Sequence, residues 1–173
     1  MCSSDLKPEA LFLSEGAGLS ARLSSASQGL ERAALEYHLV DARKSELVHV
    51  VETPRVLTKA FGTGLERSLV LAAARTVTLE LRTNGIASGG ELHKLASNGR
   101  KRACVARGED GPYTCFVLAL EQEPEEGHVS TRGQHDVFLK LAANSKTTCV
   151  LSTLVLSAWS PDVKAEIERW LAR

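Results

Sequence analysis

The stretch from Cys149 to Arg173 constrains the fold of this chain more than any other. An apolar run of Cys149, Val150, Leu151, Leu154, Val155 and Leu156 leads through Ala158 and Trp159 into Ser160-Pro161-Asp162. That triplet predicts a helix start. A serine hydroxyl caps free backbone N–H groups, proline at the first helical position loses no needed donor, and an aspartate sits well against the positive end of the helix dipole. Val163, Ile167, Trp170 and Leu171 then recur on one helical face, with Lys164, Glu166, Glu168 and Arg169 outside. The chain therefore ends in a buried strand followed by an amphipathic helix that must dock. If the Trp170 ring is core, its truncation to alanine should cost about 3–5 kcal/mol.

Upstream, residues 1–18 mix Ser, Gly and Glu around Leu11-Phe12-Leu13 and read as a tail with one anchoring segment. From Leu19 to Arg43 the spacing of Leu19, Leu23, Ala26 and Leu30, then Ala34, Tyr37 and Leu39, predicts a helical arm with Gly29 as a break. Leu47 to Val51 predicts a short buried strand, and Thr53-Pro54 restarts the chain. Val56 to Ala74 reads either way: Leu65, Leu69, Ala72 and Ala73 favour helix, while Gly62 and Gly64 oppose a continuous one. Thr76 to Arg82 alternates cleanly and predicts a strand with one wet face. Ala103–Ala106 and Tyr113–Leu120 flank Gly108-Glu109-Asp110-Gly111 and predict a hairpin. Symmetric closure of that hairpin sets Cys104 opposite Cys115, and the second strand, apolar on both faces, is expected to be central. Val137 to Leu141 favours strand.

The chain has 173 residues, enough for one domain that buries roughly 70% of its unfolded surface. Formal net charge is zero, so duplex nucleic-acid binding through many phosphates would have to rest on a local patch. No stretch approaches the roughly twenty apolar residues of a membrane span. No secretory leader is visible at Met1–Pro8, and the four cysteines lack metal spacing. Reduced thiols in the cytosol or another reducing compartment are the expectation.

Several residue sets could carry chemistry, and each has a plainer reading. Cys104 and Cys115, if opposed, form a candidate redox pair; cysteine is also a small apolar core residue, and nothing nearby lowers a thiol pKa. Gly127-His128 and His135-Asp136 with Glu125 or Glu126 could gather a weak metal site, though a wet loop containing two histidines explains them as well. His49 reads as a hydrogen-bonded strand residue and His93 as a surface one. Gly62-Thr63-Gly64 and Gly85–Gly90 fall short of dinucleotide or phosphate-loop patterns and read as turns. The cations Arg100, Lys101, Arg102 and Arg107 form the one basic concentration, suited to a phosphate, a lipid headgroup or an acidic protein surface; the alternative is a solvated strand entrance. Glu121 to Glu126 places an acidic run at the other end of the same hairpin. No metal, cofactor or catalytic set is implied.

The ending Thr153-Leu154-Val155-Leu156-Ser157-Ala158, then Ser160 to Leu171 with Trp170-Leu171, resembles the pleckstrin-homology-like β-sandwich class over the last third of the chain. That resemblance implies an adaptor for peptide or anionic lipid, such as a phosphoinositide, without catalysis. A second order, with 47–51 as strand, 54–74 as helix, 76–82 as strand, 86–96 as helix and 103–120 as hairpin, resembles the Alba-type nucleic-acid-binding fold. Arg82 and Ile86 then stand where its second strand meets its second helix, but its basic amino-terminal motif is missing. The expectation is thus an α+β domain over 19–173. It comprises a helical arm (19–45), a mainly antiparallel β core or sandwich (46–158) and a packed carboxy-terminal helix (160–173). Functionally, a non-catalytic adaptor or subunit of a larger protein assembly is expected, with a protein or anionic partner and self-association as further options. RNA binding and a small enzyme whose site is hidden in the sequence are the alternatives.

Overall fold

The computed structural model describes residues 12–14, 17–29, 33–83, 91–95, 100–107, 111–121, 129–132, 136–143 and 146–173. In chain order the strands are β1 (Phe12–Ser14), β2 (Ala17–Gly18), β3 (Ser20–Gln28), β4 (Ala33–Val40), β5 (Glu46–Lys59), β6 (Gly62–Ala72) and β7 (Val77–Thr83). They continue with β8 (Glu91–Lys94), β9 (Lys101–Arg107), β10 (Tyr113–Leu120), β11 (Val129–Arg132), β12 (Asp136–Ala143) and β13 (Thr147–Leu156), and the helix α1 spans Pro161–Leu171. Eight strands form one antiparallel sheet in the order β3-β4-β5-β6-β13-β10-β9-β8, and five form a smaller one, β11-β12-β7-β1-β2. Among the described residues no helix is long and apolar enough to cross a membrane.

Two cores lie on opposite faces of the large sheet, as strict strand alternation requires. On one face Tyr37, Leu39, Val48, Val50, Leu69, Leu71, Cys104, Phe116, Leu118 and Leu151 pack with Val77 and Leu79 of the smaller sheet. On the other, Leu57, Phe61, Val105, Cys115, Val117, Leu154 and Leu156 pack under Ile167 and Leu171 of α1. Both layers need β9 and β10, whose residues 103–106 and 115–118 are all buried. The expected central position of the Cys115–Leu120 run follows, since β10 lies between β9 and β13.

The long hairpin β5–β6 carries this two-sided arrangement. Its strands pair continuously from His49↔Ala72 to Lys59↔Gly62, but β4 accompanies β5 only as far as Glu52. Pro54 falls just beyond that point, where among the described residues β5 pairs with a strand on one side only, so its missing N–H breaks no described ladder on the other. Gly62 and Gly64 are strand residues, not turns. A Cβ on them would lie 2.5 Å from the Val155 carbonyl oxygen and 1.8 Å from that of Thr153. Only glycine admits the close approach of β6 to β13.

The helix forms as its sequence dictates. Val163 N–H donates to the Ser160 hydroxyl at 3.3 Å, and Pro161 occupies the first turn. At the other end Lys101 Nζ donates to the Leu171 carbonyl at 3.0 Å, a cation at the negative pole of the dipole. The ring of Trp170 lies 5.9 Å from that of Phe61 at the hairpin tip, with the Lys59 ammonium 5.2 Å from its centroid. Ser157 donates both N–H and hydroxyl to the Phe61 carbonyl, at 3.1 and 3.3 Å.

Three further expectations are corrected. The protein is mostly β, not α+β, and in place of a helical arm the described part of 19–45 is the β3–β4 hairpin. Leu35, Tyr37 and Leu39 alternate into the core while Glu36 and His38 point away, so burial against β5 overrides the helix propensity of Ala-Ala-Leu-Glu. The Alba-like order fails for the same reason, because 54–74 is strand rather than helix and β8 occupies the described part of 86–96. The β9–β10 register also differs by one residue from symmetric closure: Cys104 faces Phe116 and Cys115 faces Val105. A one-residue shift moves each side chain to the other face.

Candidate interaction surfaces

Strand geometry distributes the four expected contact cations. Arg100 lies exposed in the turn before β9. Lys101 points to the α1 side and caps the helix, whereas Arg102, one residue on, is directed to the opposite face. Arg107 returns to the α1 side, where its guanidinium carbon stands 5.1 Å from the Tyr113 ring centroid and its NH1 donates to the Tyr113 hydroxyl at 3.3 Å. Neither Lys101 nor Arg107 stands unengaged for an anion, and the run does not present one shared face.

The proposed thiol pair is separated by the sheet itself. Cys104 belongs to the core under the smaller sheet and Cys115 to the core under α1. Both are free and buried, as is Cys149, and burial pushes each thiol up to about 12. They are unreactive core residues. Glu125, Glu126, His128, His135, Gly85–Gly90 and Cys2 lie outside the described residues. Among the described residues no group of three or more potential metal ligands comes together.

On the open face of β3, β4 and β5 the structure builds a polar lattice that the sequence does not announce. His38 and His49 lie opposite each other with ring centroids 4.9 Å apart. His49 Nε2 lies 2.8 Å from Glu36 Oε1, and the Ser25 hydroxyl donates to Glu36 Oε2 at 3.0 Å. These two contacts, His49 first, hold the Glu36 carboxyl below its ordinary pKa. The Ser24 hydroxyl sits 3.0 Å from His38 Nδ1, His38 Nε2 is 3.7 Å from Glu46, and Arg22 pairs with Glu46. A serine beside a histidine resembles a nucleophile–base pair, but this one lies on a flat, exposed sheet face. The lattice links β3, β4 and β5 through their side chains.

A second cluster gathers at the β8 edge. Tyr113 donates to Glu91 at 3.0 Å, His93 Nε2 lies 3.2 Å from the same carboxylate, and Trp159 stacks 5.1 Å from His93 and 6.0 Å from Tyr113. At such spacings the rings pack on one another, as aromatic pairs in cores do, and close the end of the α1 core.

The remaining surface is apolar. Beyond Glu52 the β5–β6 hairpin, with β13, extends past the smaller sheet's described contacts. One of its faces is clothed by α1 through Leu57 and Phe61. On the opposite face three apolar side chains are exposed: Val56 at 79%, Leu65 at 40% and Val155 at 47%. Val56 lies directly opposite Leu65, Leu65 opposite Thr153, and Val155 is two residues along β13 from Thr153. The three side chains thus form one connected patch, edged by Thr58 and Thr63, which pair with each other across the hairpin. Strand alternation through Val56 and Leu65 was the only sequence signal for it, and a helical reading of 54–74 hides that signal. Compared by sequence, the chain matches no protein-family model and no curated protein.

Proposed function

We propose that this protein is a non-catalytic interaction module, a subunit of a larger assembly, whose protein partner covers the exposed apolar end of the β5–β6–β13 surface. The observation that carries the reading is the connected exposure of Val56, Leu65 and Val155 on a face whose continuation forms the main core. Single exposed apolar residues are ordinary, but a connected patch with a polar margin is how proteins mark a contact surface. Backing by α1 makes the patch rigid, so little ordering is lost on binding. An apolar, uncharged contact of this kind suits a protein better than an anionic lipid or RNA, whose binding draws on phosphate contacts.

The test is quantitative affinity capture from lysate with three proteins: the full chain, Val56→Asp/Leu65→Asp, and Arg100→Gln/Lys101→Gln/Arg102→Gln. A stoichiometric companion lost with the aspartates and retained with the neutralised cations supports the reading. A companion retained by the aspartate variant refutes the patch as the contact, and loss with the cation variant alone returns the interface to an anionic ligand.

A further inference from the structure

We propose that β3 is the seam of a two-fold homodimer, pairing antiparallel with β3 of a second copy in a single register. Among the described residues no strand pairs with the outer edge of β3, and all nine of its residues are exposed. Proline is absent from it and Arg22 is its one charge, so the usual devices that blunt an edge are missing but for a bulge.

The bulge specifies the occupant. Pairing with β4 assigns a face to each residue. Ala21, Leu23, Ala26 and Gln28 stand beside Leu39, Tyr37, Leu35 and Ala33 on the core side, while Arg22, Ser25 and Ser27 stand beside His38, Glu36 and Ala34 on the open side. Ser24 is the extra residue between Leu23 and Ser25, and its bond to His38 places it on the open side too. From Ala21 to Gln28 the order is core, open, core, open, open, core, open, core. It reads the same in both directions.

Residues opposite each other in antiparallel strands share a face. A regular strand alternates strictly, so it matches both sides of the bulge only by leaving Ser24 without an opposite residue, as β4 does. A second β3 matches throughout when Ser24 of one copy faces Ser25 of the other. Leu23 then meets Ala26, Arg22 meets Ser27, and Ala21 meets Gln28. Any slip by one or two residues sets a core-side residue against an open-side one. The matching register also brings no like charges together and covers Leu23, which is 62% exposed in the single chain.

The test uses the full chain in a Cys2→Ser background. Sedimentation velocity across micromolar concentrations should show a monomer–dimer equilibrium. Ser24→Lys/Ser25→Lys, which sets lysines opposite each other at the two-fold, should weaken the dimer by roughly tenfold or more with an unchanged circular dichroism spectrum. Ala21→Cys/Gln28→Cys should form disulfide-linked dimers on mild oxidation. Ala21→Cys/Ala26→Cys should not, being offset beyond disulfide reach. A chain that stays monomeric at every concentration overturns the proposal. So does a dimer that crosslinks through 21 and 26 but not 21 and 28, or one that survives the lysines. Val56→Asp/Leu65→Asp should leave the dimer intact, so this proposal and the apolar patch fail separately.

Discussion

Glu52 is a costly side chain to alter. Its carboxylate is 3% exposed, on the core side of β5, and receives the Tyr37 hydroxyl at 2.8 Å and two Arg67 bonds at 2.6 and 2.7 Å. Burial first, and then the Glu52 charge, raises the Tyr37 hydroxyl well above its usual range. Burial alone would lower Arg67, but its bonds to Glu52 overcome that and raise it. Glu52→Gln leaves a partly buried guanidinium without its counter-charge and should cost about 3–5 kcal/mol in urea unfolding. Tyr37→Phe removes one bond to a charged acceptor and should cost about 2 kcal/mol. The thiols give the pH dependence. Folded Cys104, Cys115 and Cys149 are held protonated to about 12, against an ordinary 9.0 when unfolded. Between those values the unfolded chain binds fewer protons. Stability is therefore full below pH 9 and falls as pH rises above it, by about 1.4 kcal/mol per thiol per pH unit. Thermal unfolding from pH 7 to 10.5 checks this, with a Cys104→Ala/Cys115→Ala/Cys149→Ala variant expected to show a shallower fall.

At the scale of elements, the helix and its bed show what local chemistry can and cannot specify. Ser160, Pro161 and the apolar face of α1 were legible because capping and helical spacing are properties of neighbouring residues. Depth of burial was not legible. Ile167 is fully buried whereas Trp170 is only half-buried at the hairpin tip. Ile167→Ala should cost about 3 kcal/mol, and Trp170→Ala less than the 3–5 kcal/mol of a fully buried ring; equal losses in parallel urea titrations would place both in the core. The β3–β4 hairpin reads as helix, and 56–74 reads either way, because Ala, Leu and Glu favour helix locally, while the strands that overrule them are distant in sequence. Cys104 and Cys115 show the same limit at finer grain, since loop composition locates a hairpin but register depends on how the loop closes. Gly62 and Gly64 were noticed as breakers of helix. Their reason is β13, roughly ninety residues away, and Gly64→Ala should cost about 3 kcal/mol by forcing that backbone apart.

At the scale of the whole molecule, one sheet serves two partners that cover different ends of its opposite faces. The smaller sheet takes one face near β4 to β6, and α1 takes the other near the tip of the β5–β6 hairpin. Because each layer is shorter than the sheet, each leaves a remainder. The remainder of the α1 face is the polar lattice of Glu36, His38 and His49 at the end away from the helix, and the remainder of the smaller sheet's face is the apolar patch at the hairpin tip. Polar side chains dominate the first, beside the partly exposed Val70, so water can cover most of it. The second keeps Val56, Leu65 and Val155, which are 79%, 40% and 47% exposed, so their truncation removes little of the folded core. Val56→Thr/Leu65→Thr/Val155→Thr should therefore keep each site's effect on stability within about 0.5 kcal/mol, as surface substitutions do. The same variant should lose the partner that the full chain captures. A fall of several kcal/mol in urea unfolding would mean that these side chains are part of the fold, and the exposed apolar end of the sheet would then be structural rather than a contact surface.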